Sequence, residues 1–352
     1  MSRKVGILTS GGDSPGLNAA IRAISKGLRA DNIKLIGFRD GYEGLVYDRS
    51  MLLDGKACSG ILTLGGTLLC TGRNKPDKMP INGKYVDLTD LAIKTYNKHD
   101  LEALVCIGGG GTHKSALKLH KEGLNIITLP KTIDNDLSMT DSTIGFDTAV
   151  ATATHAIDNL HSTASSHRRI MLVEIMGHNT GWLTLASGIA GGADVILIPE
   201  IPFSVDKVAQ SINERNKRGK RFSIVAIAEG CKSAELGSGA KESSLVSSEQ
   251  PGITMALAEK LANLTELGTR VTIIGYIQRG GSPSSGDRLL ASMLGAECVK
   301  HILKKKFGVM IAAKGSQIVP VPLKEVAGKR KIVPKDHIWI KTARKLGISF
   351  GD

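Results

Sequence analysis

The feature that most constrains this chain is a repeated unit. A short β-branched apolar run is followed by glycine or polar residues and then, in several cases, by a helical pattern. Residues 5–8 precede Ser10-Gly11-Gly12-Asp13 and a predicted helix over 18–28. Residues 103–107 precede Gly108-Gly109-Gly110-Gly111-Thr112 and a predicted helix over 113–120. Residues 126–129 run into Lys131-Thr132-Ile133-Asp134-Asn135-Asp136, and residues 170–175 into Met176-Gly177-His178. Residues 195–198, 224–227 and 271–274 repeat the theme. Continuous apolar strands alternating with amphipathic helices indicate a parallel sheet covered on both faces. Ligands of such folds bind beyond the carboxyl ends of the strands. The unusual polar motifs of this chain fall at those ends.

Composition sets the outer bounds. With 352 residues and 41% hydrophobic residues, the chain can bury more than one core. Aromatics are 4%, so the core must be built from Val, Ile, Leu and Ala. The formal charge of +13 admits a nucleic-acid surface, an attractor for small anions, or a solvated basic tail. Part of the excess sits late, at 304–306, 329–331 and 341–345, without interleaved aromatics. The tail therefore reads as solvated, and no nucleic-acid partner is expected. The cysteines are Cys58, Cys70, Cys106, Cys231 and Cys298, with no CxxC pair. That argues against a disulfide framework or zinc site and for a reducing cytoplasm. No run is long enough to span a bilayer and no signal sequence opens the chain, so no membrane association is expected. Residues 194–205 and 233–250 are candidate linkers.

The motifs carry chemistry with different force. The loop from Thr9 to Asn18 lets backbone amides approach an anion at a helix N-terminus, but a tight βα turn explains it equally well. Four successive glycines at 108–111 cost conformational entropy, so close approach of a phosphate or ribose explains them better than a turn does. Lys131, Asp134 and Asp136 at a strand end suit phosphoryl transfer: one carboxylate takes a hydroxyl proton, another holds Mg²⁺, and the lysine steadies phosphoryl oxygens. The competing reading is an Asx-rich turn. Arg73, Arg169, Arg270, Arg279 and Arg288 recur near strand ends, where guanidinium groups suit phosphate capture. Glu229 suits a sugar hydroxyl or an arginine partner.

Taken together these motifs resemble the phosphofructokinase family. The residues that carry the likeness are TSGGDSPGLNAAIR, TIDND followed by TIGFDTA, SSHRR, IAGG, AEG and IQRGGSP…DR, in the family's order, from about residue 5 to about residue 291. The resemblance implies an α/β fold of two Rossmann-like three-layer domains with mainly parallel sheets and the active site in the cleft between them. It implies an ATP domain of residues 1–139 plus 252–305 and a fructose 6-phosphate domain of residues 140–251 plus 306–352. It implies transfer of a phosphoryl group from ATP to the 1-hydroxyl of fructose 6-phosphate in glycolysis, with Mg²⁺, in a homo-oligomer, usually a tetramer.

Carried over residue by residue, Asp134 would be the general base, Thr132 would contact the transferred group beside Lys131, and Asp136 would help hold Mg²⁺. Arg169 and Arg270 would bind the sugar 6-phosphate of a neighbouring subunit, and Arg279 that of its own chain. Met176, Gly177, His178, Glu229 and Tyr276 would line the fructose site. Gly11, Gly12, Tyr42, Arg73, Gly109, Gly110, Gly111 and Thr112 would surround the phosphoryl donor.

The departures are specific. Gly110 stands where the family has a metal-binding aspartate, which points to slow turnover or to a non-catalytic sugar-phosphate-binding subunit as an alternative. His178 and Tyr276 replace a common arginine and histidine. Gly111 leaves room for a nucleotide, whereas Lys131 is typical of pyrophosphate users. Some ATP-dependent members combine the two, and ATP is favoured over pyrophosphate. An effector site for ADP or phosphoenolpyruvate carries over in part through Arg22, Lys26, Asp194, Arg218 and Lys220. Gly55 and His161 replace two of its arginines.

Overall fold

The computed structural model describes residues 3–233, 235–238 and 252–352, so part of the candidate linker 233–250 lies outside the described residues. The chain divides into two compact units. Unit 1 is Met1–Thr148 with Arg279–Lys331, and unit 2 is Ala149–Gln278 with Ile332–Asp352.

In unit 1 the chain forms β1 (Lys4–Ser10), α1 (Leu17–Ala30), β2 (Lys34–Phe38), α2 (Tyr42–Val46) and β3 (Ser50–Leu52). A small hairpin, β4 (Met79–Ile81) and β5 (Lys84–Val86), precedes α3 (Thr89–Lys98), β6 (Leu101–Gly108), α4 (Gly110–Lys121) and β7 (Ile126–Pro130). Helix α5 (Phe146–His167) leads into unit 2. There follow β8 (Ile170–Ile175), α6 (Trp182–Ala190), β9 (Val195–Leu197), α7 (Val205–Lys217), β10 (Ser223–Ala228), the short pair β11 (Lys232–Ser233) and β12 (Gly237–Ser238), α8 (Ile253–Thr265) and β13 (Thr269–Ile273). The chain returns to unit 1 with α9 (Ser285–Leu303), β14 (Val309–Lys314), β15 (Gln317–Pro322) and α10 (Leu323–Val326), and ends in unit 2 with α11 (Ile338–Lys345).

The seven-stranded sheet of unit 1 has the order β15-β14-β7-β6-β1-β2-β3. Its five inner strands are parallel, and β3 and β15 are antiparallel edges. Both faces are covered, as the apolar runs require. Val105 and Ile107 point to one face with Ile21 and Ile24 of α1 and Leu294 and Ile302 of α9. Leu104 and Cys106, the alternate residues, point to the other with Ala116 and Leu119 of α4. Unit 2 holds a parallel four-stranded sheet, β13-β8-β10-β9, on which Val208 and Ile212 of α7 and Leu257 and Leu261 of α8 pack. The tail lengthens this sheet: Ile196 N donates to Ser349 O (2.9 Å) and Ser349 N to Asp194 O (3.1 Å).

The unit bounds differ from the expected segments. Residues 252–278 fall in unit 2 because β13 pairs with β8, and residues 306–331 fall in unit 1 because β14 pairs with β7. Residues 140–148 also stay in unit 1. Asp287, buried at the start of α9, accepts from Gly145 N (2.7 Å) and Thr148 N (2.8 Å). The TIGFDTA and SP…DR motifs thus meet through one buried carboxylate, a structural clamp with no partner visible in the sequence. Among the described residues no helix is long and apolar enough to cross a membrane.

Candidate active site

In unit 1, three loops meet at the carboxyl ends of β1, β6 and β7. The first is braced by residues 71–73: Gly11 N donates to Gly72 O (2.9 Å), and Thr71 Oγ1 to Gly11 O (2.7 Å). This brings Arg73 beside the loop. Gly11 and Gly16 have φ of +91° and +97°, a conformation that favours glycine.

The four glycines of the second loop divide by role. A Cβ on Gly108 would lie 2.1 Å from Thr112 Oγ1 and 2.7 Å from Ser10 O, so this glycine is required by packing at the end of β6 rather than by a ligand. At Gly109, Gly110 and Gly111 a Cβ would meet nothing nearer than 3.6 Å, so the fold itself does not exclude side chains there. Gly109 carries no capping side-chain bond to α4, and the first turn of α4 has no acidic residue. The amide donors of that turn are left for an anion. His113, fully buried, fixes the loop from behind through Nδ1 to Gly109 O (2.8 Å). Burial holds its pKa down at about 4, with Lys131 adding to the effect, so the ring stays neutral at pH 7.

Tyr42, expected beside the donor, is 1% exposed, and its hydroxyl donates to Thr112 O (2.8 Å) at the end of the second loop. It supports the second loop from the core side.

The third loop begins at Lys131, 2% exposed, whose Nζ donates to Gly12 O. Burial, reinforced by Arg279 and Arg73, lowers its pKa to about 8, against the opposing pull of Asp134 and Asp13. Asp134 N donates to Thr132 Oγ1 (3.2 Å), and Thr132 Oγ1 to Asp134 Oδ2 (3.3 Å). Asn135 is left-handed (φ +51°) and ties the loop by donating to Asp141 O (3.1 Å). Asp136 faces Arg330, with Nε 3.7 Å from Oδ2. Arg279 lies against the first loop, NH1 donating to Asp13 O (3.2 Å). It falls in unit 1, at the start of the segment Arg279–Lys331.

Hard cations take oxygen ligands, and unit 1 offers Asp134 and Asp136 within one loop. Among the described residues no group of three or more His, Cys, Asp or Glu is gathered that could hold a metal. The donor set fits Mg²⁺ completed by substrate phosphates and not a dedicated protein cage.

Unit 2 presents a second cluster at the carboxyl ends of β8, β10 and β13. Glu229 Oε1 accepts from His178 N (2.8 Å) and Gly177 N (3.2 Å), and Thr180 N donates to Gly177 O (2.9 Å). Gly177 is required, because a Cβ there would lie 2.5 Å from Thr180 O. The sequence missed Glu200, whose two oxygens accept from Gly181 N (3.1 and 3.0 Å) and one from Val333 N (3.0 Å). Its only sequence signal is its place after the apolar run 195–198. Met176 is half-buried, His178 is exposed, and Tyr276, at the same end of the sheet, is 74% exposed.

Arg169 and Arg270 stand at the other end of that sheet. Arg169 precedes Ile170, Arg270 pairs with Met171, and Met176 lies five positions further on, about 17 Å at 3.3 Å per residue. The expected effector residues divide between the two units. Asp194 pairs with Arg215 (2.6 Å) and accepts from Ile224 N (2.9 Å), which makes it a clip between β9 and β10. Arg218 and Lys220 are exposed beyond α7, while Arg22 and Lys26 lie on α1 of unit 1. The space at Gly55 is taken by Arg29, whose NH1 would lie 2.0 Å from a Cβ there. His161 is engaged by Gly191 O (2.7 Å).

Comparison with known proteins agrees with this fold. The phosphofructokinase family model matches residues 4–302. An ATP-dependent 6-phosphofructokinase of Propionibacterium freudenreichii is 52% identical, covering 100% of both chains, and one of Spirochaeta thermophila is 46% identical, covering 100% of this chain and 98% of that one. Among solved structures, Pichia pastoris phosphofructokinase in the T-state is 32% identical with a TM-score of 0.82. It covers 93% of this chain, which spans 35% of the Pichia chain. A pyrophosphate-dependent phosphofructokinase from Marinobacter aquaeolei, 23% identical with a TM-score of 0.81, shares the fold. A family match over most of the length, together with glycine loops, a TIDND strand end and AEG all at the strand termini where ligands bind, makes this chain a member of the phosphofructokinase family.

Proposed function

We propose that this chain is an ATP-dependent 6-phosphofructokinase, transferring the γ-phosphoryl group of ATP to the 1-hydroxyl of fructose 6-phosphate and releasing ADP and fructose 1,6-bisphosphate, a glycolytic step. The observation that carries this reading is the 52% identity, over all of both chains, to an enzyme named for that activity. In this reading unit 1 is the donor domain and unit 2 the sugar-phosphate domain.

Asp134 takes the proton of the 1-hydroxyl. The hydroxyl oxygen forms its bond to the γ-phosphorus while the bond from that phosphorus to the β,γ-bridging oxygen breaks, and the electron pair leaves with ADP. The amide donors of α4, together with Lys131, Arg73 and Arg279, meet the phosphate oxygens. Thr132, hydrogen-bonded to Asp134, keeps the base and the transferred group in register. Asp136 would hold Mg²⁺ together with the donor's phosphates, and the ion would supply neutralising charge. In unit 2, Met176, Gly177, His178, Glu229 and Tyr276 hold the sugar. Arg169 and Arg270 reach the 6-phosphate bound by another copy of the chain in a homo-oligomer, and we place the protein in the cytoplasm.

The test is a coupled assay with fructose 6-phosphate and either ATP or pyrophosphate. Turnover with ATP at rates well above those with pyrophosphate is expected. Preference for pyrophosphate would reverse the donor, a result that Lys131 would rationalise. Binding of fructose 6-phosphate with no turnover on either donor would make the chain a regulatory subunit, as the loss of the carboxylate at Gly110 would suggest.

A further inference from the structure

Lys75 lies outside every motif that carried the sequence reading, yet its placement is built into the fold. It opens a turn closed by Lys78 N donating to Lys75 O (3.0 Å). Three contacts pin that turn. Asn74 Nδ2 donates to Glu43 Oε2 (2.7 Å), Leu88 N donates to Pro76 O (2.7 Å), and Asp77 pairs with Lys118 of α4. The stem of Lys75 is thereby laid beside the exposed Gly111: a Cβ on that glycine would lie 3.7 Å from Lys75 Cε.

A cation is poorly placed there for stability. The amino end of α4 carries partial positive charge with no capping side chain and no acidic residue in the first turn, so a lysine beside it is repelled by the helix. Lys131, Arg73 and Arg279 already concentrate positive charge on the neighbouring loops. Among the described residues the ammonium of Lys75 has no hydrogen-bond or ion-pair partner, although the residue is half-buried. A fold that pins a lysine against a positive helix end, and gives it no anion, leaves that charge for an anion supplied from outside.

We propose that Lys75 is a donor-binding residue whose ammonium meets phosphate oxygens of the polyphosphate lying over Gly109–Gly111. This rests on the reading that the glycine loop is the donor site. It adds protein charge beside the very position, Gly110, where a metal-binding carboxylate is missing. ATP and pyrophosphate share the chemistry that Lys75 would recognise, so the test uses both.

ATP and then pyrophosphate are titrated calorimetrically into the full chain as parent, Lys75→Met and Lys75→Arg, with steady-state constants measured alongside. Lys75→Met keeps the stem and removes the charge. A charge-assisted hydrogen bond from a half-exposed lysine is worth about a factor of ten in affinity. The Kd and KM for ATP should rise by about that factor, with the KM for fructose 6-phosphate unchanged and most of the loss restored in Lys75→Arg. Equal ATP affinity in parent and Lys75→Met, with the parent active on ATP, overturns this role and leaves the proposed function standing. An equal loss of fructose 6-phosphate affinity also overturns it, since that marks a general disturbance. A parent that uses only pyrophosphate overturns the ATP reading alone. The pyrophosphate titration then decides Lys75, a tenfold weakening supporting it and equal affinity overturning it. A parent that binds neither donor overturns both.

Discussion

At the scale of single residues, Lys131 and Gly110 set the behaviour most open to measurement. Lys131 is driven toward neutrality by burial and by Arg279, to a pKa of about 8, so its charged form predominates below that pH and is lost above it. If the charge meets phosphoryl oxygens, kcat/KM for ATP should fall as pH rises through about 8, because that ratio reports the free enzyme. A pH series should show this limb in the parent and lose it in Lys131→Met, which should also be slower by on the order of 10². A flat profile in the parent from pH 7 to 9 would mean Lys131 is structural. Gly110 makes the complementary case. Its backbone is not left-handed, and a Cβ there would have only Leu137 Cδ2, at 3.9 Å, as a near neighbour. Gly110→Asp should therefore fold. A carboxylate in the first turn of α4 and the loss of glycine freedom should stabilise it by about 0.5–1 kcal/mol, read by denaturant titration. The same variant should lower the Mg²⁺ concentration for half-maximal rate and raise kcat. An unchanged Mg²⁺ dependence would show that water or another carboxylate already serves there.

At the scale of elements, the apolar runs made the parallel strands legible, because a strand buried on both faces needs continuous hydrophobicity. The polar motifs were legible as strand-end loops, and the structure places them at the carboxyl ends of the strands. What stayed hidden was pairing. That β13 joins β8 and β14 joins β7 depends on register and chain crossing, which leave no local mark, so the unit bounds shifted. The glycine loops were legible as flexible loops but not residue by residue. Gly108 serves packing while Gly109–Gly111 are open, a distinction set by the neighbouring Thr112 and Ser10. That the Tyr42 hydroxyl is turned to Thr112 O in the core was equally invisible in the sequence. Glu200 shows the same limit from the other side. It takes amides from Gly181 and Val333, so it ties the loop after β8 to the C-terminal segment, and Trp182 packs edge-on to His337 and Trp339 (5.0 and 5.9 Å) in the same contact. Glu200→Ala should loosen the loop that carries Gly177 and His178. We expect the KM for fructose 6-phosphate to rise severalfold while the KM for ATP holds. Removing a carboxylate acceptor from two amides should cost about 1–3 kcal/mol of stability. Equal rises in both constants would point to global softening instead.

At the scale of the whole molecule, the two arginines stand at the far end of their own sheet from the residues assigned to the sugar. Arg169 and Arg270 stand at the amino ends of β8 and β13, and Met176 and Glu229 at the carboxyl ends of β8 and β10, within one unit. A side chain of arginine does not span the length of that strand. Edge strand β13 and the turn after it also present Ile273 (58% exposed), Tyr276 (74%) and Ile277 (71%), an apolar edge of the kind that a partner covers. If each sugar phosphate is held by Arg169 and Arg270 of another copy, defects in base and anchor should complement. Asp134→Asn alone should lose activity by on the order of 10² or more. Arg270→Ala alone should mainly raise the KM for fructose 6-phosphate, as loss of a remote anchor does. Co-refolded in equal amounts and assayed at low fructose 6-phosphate, the two should recover about a quarter of the parent rate, since about a quarter of sites in random symmetric assemblies join an intact base to an intact partner arginine. Mixing the folded variants without exchange should recover nothing. A mixture that stays at the average of the two single variants after co-refolding, with hetero-oligomers demonstrated by mass spectrometry, would mean that each chain serves its own sugar phosphate and that these arginines have another task.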